Sequence, residues 1–247
     1  MKTKLLTLCT TLSLTTALSF TTLLSSSASA ATLSHVFKQG EVMCLVSSIN
    51  QENNADLKSA YFQGVFPVAK QLGFEFIVNL YVDKQLAGDH AAPAFSLIKL
   101  PSTQAKIDIN GKHLAEWGHF RKQRPHVWKE LVAREYELKR DLTLDLDDEK
   151  YYQVETFWVQ QDRDLEFVQF RNDVEATIGQ YHGEVLYKAG LPSDYETLGN
   201  NRAPSHMVIT EWQSKIAFEK FSKQKQAQPF KYLGGYNAWL MKPRIQS

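Results

Sequence analysis

Gly73 and Gly183 stand 110 residues apart, and the dipeptides Ala92-Pro93 and Ala203-Pro204 stand 111 apart. In a chain with only 12 Gly and 8 Pro, two kinds of backbone punctuation at one spacing point to an internal repeat. The apolar periods between these marks repeat as well. From Tyr151 to Met241 they run strand, helix, strand, strand, helix, strand, and Glu41 to Leu146 keeps the same order. The expectation is an α+β chain built from two βαββαβ units, the first over residues 31–146 and the second over 147–247.

Along the first unit, Ala31 to Gly40 reads as a polar lead-in and Glu41 to Ile49 as a strand rich in Val, Leu and Ile. Leu57, Tyr61, Val65, Val68 and Leu72 recur at helical spacing behind an N-cap candidate, Asp56, and Pro67 predicts a kink or break. Phe74 to Val82 and Ala94 to Leu100 read as strands, and Ser102 as a second N-cap. The run VWKELVAREYELKR, behind Pro125, carries strong helix formers and an apolar stripe. It predicts an extra helix near 126–140. Leu142 to Leu146 alternates with period two and predicts a hairpin into the next strand through the charged turn Asp147-Asp148-Glu149-Lys150.

The second unit reads as strand Tyr151 to Gln160, a helix from near Leu165, strand Glu184 to Ala189 and a long polar loop, Gly190 to Arg202. Strand His206 to Trp212, a helix behind Ser214 and strand Tyr236 to Met241 follow.

The first thirty residues are set apart by chemistry. Lys2 and Lys4 precede an apolar, Thr/Ser-rich run, and Ala28-Ser29-Ala30 fits a small-x-small cleavage site, so export with a mature start at Ala31 is expected. The run is too interrupted for a spanning helix, which needs about 20 apolar residues. A periplasmic or extracellular location follows. Loss of two lysines from a net charge of +1 leaves the rest near neutral, which argues against a nucleic-acid partner. Cys44 is the single cysteine beyond the leader and reads as a small buried hydrophobe.

HGEVLYKAG, a polar loop with Glu196, and HMVITEWQSKIAFEKF together resemble a small uncharacterised family of the dimeric α+β barrel (ferredoxin-like) superfamily. In that resemblance His182-Gly183 stands for a Gly-Gly pair and Glu196 for a loop acid. Trp212 is the strand-closing aromatic, and Ser214 and Ala217 open the helix. The resemblance implies a barrel formed by two ferredoxin-like sheets, here supplied by one chain, so that a monomer suffices. It also implies membership among cofactor-free oxygenases, haem-degrading enzymes, isomerases and proteins without known activity.

His113-x-x-Glu116-x-x-His119 has metal-ligating residue types, but its histidines do not share a helix face as an i, i+4 pair would. Asp145, Asp147, Asp148 and Glu149 lack the glycine and closing glutamate of a calcium loop. No metal and no cofactor is expected. A Ser-His-acid arrangement leaves no spacing signature, and none is marked. The remaining polar set lies in the second unit. His206, His182 and Glu196 are the candidate catalytic groups; Arg202, Tyr187, Glu211 and Trp212 are the candidate ligand-binding groups. His206 and Glu211 fall on opposite faces of one strand. Two functions are compatible with this set. One is an exported protein that holds a small apolar or aromatic ligand, in keeping with 12% aromatic residues. The other is a cofactor-free oxygenase or isomerase that uses a histidine base in the barrel. A filled barrel interior would sink both and leave a structural role.

Overall fold

The computed structural model describes residues 30–105, 114–198, 202–224 and 230–245, with backbone alone for 114–119. The first half holds β1 (Thr32–Phe37), β2 (Val42–Asn50), α1 (Ala55–Gln71), β3 (Glu75–Ala87), β4 (Ala94–Leu100), α2 (Leu114–Val127), β5 (Trp128–Glu137) and β6 (Leu142–Asp147). The second holds β7 (Tyr151–Val159), α3 (Asp164–Ile178), β8 (Gly183–Ala189), β9 (Asp194–Leu198), β10 (His206–Trp212), α4 (Lys215–Ser222) and β11 (Leu233–Arg244).

Nine strands form one antiparallel sheet in the order β8-β10-β7-β11-β3-β4-β2-β5-β9. Each half contributes β3-β4-β2-β5 or β8-β10-β7-β11, the same order of second, third, first and fourth strand. These are two ferredoxin-like βαββαβ units in tandem. They join where β11 pairs with β3, from Ala238 opposite Ala87 to Arg244 opposite Asn79.

The sheet curls so that β8 returns beside the end of β5, where the rings of Tyr136 and Tyr187 meet edge-on at 6.2 Å. Period-two alternation sorts the side chains. Met43 and Leu45 of β2, Phe95 and Leu97 of β4, Tyr152 and Val154 of β7, and Trp239 and Met241 of β11 all enter one shared interior cluster. The opposite faces carry the helices. Tyr61, Val65, Phe120 and Leu131 cluster under α1 and α2, and Val174, Ile178, Trp212, Phe218 and Phe221 under α3 and α4. The barrel interior is therefore filled, chiefly with apolar side chains around a few buried polar ones, and is not hollow, so both functions lose the open interior they were expected to use.

Several expectations are corrected. The predicted helix near 126–140 is strand β5, because Val132, Arg134 and Tyr136 alternate onto the interior face and both its edges are paired, and sheet pairing overrides helix propensity. Pro125 lies inside the last turn of α2, not at a helix start. The lead-in contains β1, and β6 pairs with β1 instead of forming a hairpin with β7; the pair lays Phe37, Leu144 and Leu146 into the interior. Helix α1 is continuous across Pro67 and is preceded by Asn54, with Asp56 in its first turn. The polar loop 190–202 contains β9, and β11 runs well beyond Tyr236–Met241 at both ends.

Other expectations hold. Ala94–Leu100 and His206–Trp212 are strands with those bounds, and Ser214 caps α4 by accepting from the Ala217 amide. Cys44 is buried in a small apolar cluster. The leader up to residue 29, His113, and the side chains of Glu116 and His119 lie outside the described residues. No helix among the described residues is long and apolar enough to cross a membrane.

Candidate functional site

Strand β5 stands at the edge of its unit and carries Glu130, Val132, Arg134 and Tyr136 on its interior face. Strand β2 beside it ends its run of interior residues with Ser47. The turn between β3 and β4 brings a third group. Gly88 has φ of +85°, and a Cβ there would fall 1.6 Å from the Asn237 Oδ1, so only glycine fits that turn. Asn237 Oδ1 accepts from the Asp89 amide and Trp239 Nε1 donates to the His90 carbonyl, so β11 of the second unit fixes His90 inside the first. Phe95 and Trp239 meet the imidazole edge-on.

The result is a buried polar chain. Glu130 Oε2 lies 2.9 Å from His90 Nδ1, and His90 Nε2 lies 2.9 Å from Ser47 Oγ, which also accepts from Arg134 Nη1 at 3.1 Å. With Nδ1 protonated toward the carboxylate, Nε2 is left to accept the serine proton. Burial is the main influence on His90 and lowers its pKa below the usual 6.5; the bond to Glu130 opposes this and the charge of Arg134 adds to it.

The imidazole is thus neutral in the fold, while in the unfolded chain it takes a proton as pH falls through about 6.5. Its stabilising contribution is present above that value and is lost as pH falls toward its folded pKa. Wild type should therefore lose stability between pH 7.5 and 5.5 more steeply than His90→Gln, by at most about 1.4 kcal/mol per pH unit. Glu130, Arg134 and Asp89 are the charged groups around this imidazole. Equal slopes in denaturant titrations at the two pH values would show that His90 does not stay neutral.

A cavity of about 550 Å³ opens at the C-terminal end of β5, away from Glu130, where β5 and β8 approach without a ladder of hydrogen bonds. Tyr136 and Tyr187 form its phenolic wall, Leu138, Leu142, Leu186 and Leu191 its apolar lining, and Lys139, Arg140 and Lys188 stand around it. Gly190 to Ser193 rims it as the chain crosses from β8 to β5, where the Ser193 amide donates to the Glu135 carbonyl at 2.7 Å. Burial pushes the Tyr187 phenol up to about 12 and raises that of Tyr136, which the charge of Arg134 partly opposes. Both are protonated donors at neutral pH. A second cavity, about 280 Å³, lies under α3 and α4 around Arg171 and Glu155.

The predicted site residues disperse. Only Tyr187 lines the seam cavity. His206 faces α3, its ring tilted against that of Phe167 at 4.6 Å and its Nε2 3.1 Å from Asp164 Oδ1. His182 is exposed in a left-handed turn, and Gly183 after it packs closely on Trp212 and Ile178.

Glu196 does lie on the chain that borders the cavity, but its carboxylate turns outward to Arg124 and Arg121 of α2, because β9 alternates and gives Tyr195 and Thr197 the interior. Arg202 is exposed and contributes its carbonyl to Trp158 Nε1. Glu211 points inward but is held by Lys150 at 2.6 Å and Tyr152 at 3.1 Å. Trp212 is wholly buried beneath the second unit's helices and donates to Gln153. The residues that converge, Ser47, His90, Glu130 and Arg134, lie in the first unit. The reading of β5 as helix hid them, since only strand alternation puts Glu130, Arg134 and Tyr136 on one face.

No family model matches the sequence, and no curated protein matches it significantly. Among solved structures it is similar to an anthrone oxidase-like protein (12% identity, 85% of this chain and 96% of that one, TM-score 0.48). A chlorite dismutase variant from Candidatus Nitrospira defluvii is also similar (9% identity, 85% and 93%, TM-score 0.45). At such scores the likeness carries no argument about chemistry. The α+β barrel rests on the strand order itself.

Proposed function

We propose that this is an exported protein that binds a small aromatic or apolar ligand in the cleft between β5 and β8. The observation that carries the reading is the cavity of about 550 Å³ at the seam where β5 and β8 approach without pairing, walled by two protonated phenols and four leucines. That size and lining suit a compact ring system, with the phenols fixing its polar edge. Export is supported by the basic start, the apolar run and Ala28-Ser29-Ala30, and a monomer suffices because one chain supplies both units.

The test uses 1-anilinonaphthalene-8-sulfonate as an aromatic probe. Wild type should enhance its fluorescence saturably. Leu142→Glu, which puts a carboxylate into the apolar lining and sets a like charge against the probe's sulfonate, should weaken binding at least about tenfold. Tyr187→Ala should weaken it as well, with unchanged circular dichroism in both variants. Undiminished binding in both removes the cleft from consideration.

A second reading is favoured by one observation, the order Glu130–His90–Ser47 with both contacts at 2.9 Å. This is the connectivity by which an acid holds an imidazole and the imidazole takes a hydroxyl proton. It keeps the histidine-base enzyme in view with His90 in the role expected of His206 or His182. Covalent labelling of Ser47 by a fluorophosphonate, abolished in His90→Gln, would establish it; no adduct on Ser47 would dismiss an activated serine.

A further inference from the structure

Three arginines among the described residues are buried, and two of them face carboxylates: Arg171 meets Glu155 at 3.2 Å and Arg124 meets Glu196. Arg134 does not. It is 2% exposed, its one hydrogen bond goes to the neutral Ser47 hydroxyl at 3.1 Å, and its Nε is buried without a partner. No carboxylate among the described residues lies within ion-pairing distance of it.

The surroundings repeat the deficit. Tyr136 Oη, two residues along the same strand face, is buried without a partner. Tyr195, directly opposite Arg134 in the β5–β9 register, and Thr197 beside it stand close enough to influence each other. Neither completes a hydrogen bond by distance and angle. A guanidinium and three unpartnered hydroxyls therefore share one interior patch that holds no carboxylate among the described residues. Native interiors leave few such groups, and an unpaired buried charge is the costliest of them.

We infer that Arg134, with Tyr136 and Tyr195, receives the anionic end of the ligand, which is an aromatic or apolar carboxylate of small size. The inference rests on the cleft reading above and deepens it. Tyr136 links the two places, since it lines the cleft and follows Arg134 by two residues on the same face of β5. An apolar body held between the phenols would direct a carboxylate inward past Tyr136, where Arg134 Nε and the two phenol protons supply charge-assisted donors. Burial raises the pKa of the Tyr195 phenol and the Arg134 charge opposes this, so both phenols keep their protons at neutral pH.

The test compares benzoate with benzamide, its neutral isostere, by calorimetric titration at neutral pH. Benzoate should bind wild type, and benzamide should bind at least about tenfold more weakly, the difference a charge-assisted pair makes. Arg134→Met should abolish the preference for benzoate while leaving a folded protein whose melting temperature is equal to or above that of wild type. Arg134→Lys should retain part of the preference. Equal binding of benzoate and benzamide to wild type, or a preference that survives Arg134→Met, overturns the inference. If the naphthalene probe still binds the cleft in that event, the cleft reading stands and only the anion assignment falls; if it too fails, the cleft reading falls on its own evidence.

Discussion

Replacing Trp239 with alanine should lower the free energy of unfolding by about 3–5 kcal/mol, the loss typical of a large aromatic removed from a packed core. Trp239 is wholly buried in the barrel interior, its ring 4.7 Å from that of Phe95, and its Nε1 proton is the one that holds the His90 carbonyl. The change therefore opens a cavity and strands a buried acceptor together, and the second effect adds to the first. Urea unfolding at neutral pH measures the total. Hydrogen exchange should show the amides of Asp89 and His90 losing protection well before those of β7. A loss under about 1 kcal/mol would mean that the interior is not packed around this ring.

Glu155→Ala should be comparably damaging for an electrostatic reason. Its carboxylate accepts from Arg171 Nη1 at 3.2 Å and from Tyr236 Oη at 2.7 Å, on the outer face of β7 beneath α3. Arg171 is 6% exposed, and its Nε and Nη2 already lack partners. Removing the one carboxylate leaves the guanidinium uncompensated, which costs about 3–5 kcal/mol for a buried pair broken from one side. Glu155→Ala combined with Arg171→Met should recover most of that loss, and a double-mutant cycle reads the coupling directly. Simple additivity would contradict a buried pair. Arg134 is the opposite case: Arg171 destabilises the fold once its carboxylate is gone, whereas Arg134 has no carboxylate to lose and its own removal should not weaken the fold.

Most of the second unit was legible because its signals are local. Ser214 caps a helix whose apolar residues recur at the right spacing, and His206 to Trp212 is bounded by Pro204 and that cap. The first unit was less so. VWKELVAREYELKR consists of residues that favour a helix in isolation, and what makes it a strand is pairing with β2 on one side and β9 on the other. Those partners are distant in sequence, and β9 was itself concealed in a polar loop. The error propagated to the site. Read as helix, Glu130 and Arg134 are solvent charges; read as strand, they face the interior with Ser47. His90 carried no local signal at all, since it is placed by Asn237 and Trp239 from the far end of the chain. The resemblance drew attention to Glu196, whose strand does border the cavity, but alternation within five residues turned the carboxylate away from it.

The two joints between the units have different characters, and the difference follows from covalent continuity. A barrel assembled from two identical chains is bound by its twofold axis to make both joints alike, so any opening comes in pairs and any substitution is felt twice. Here β11 and β3 are zipped along their length, whereas β8 and β5 are bridged by a short strap and left apart. A single polypeptide has escaped the symmetry rule. It closes one joint and leaves the other open, so a substitution in Leu186 to Ser193 is felt once, at the open joint, without loosening the joint that holds the body closed.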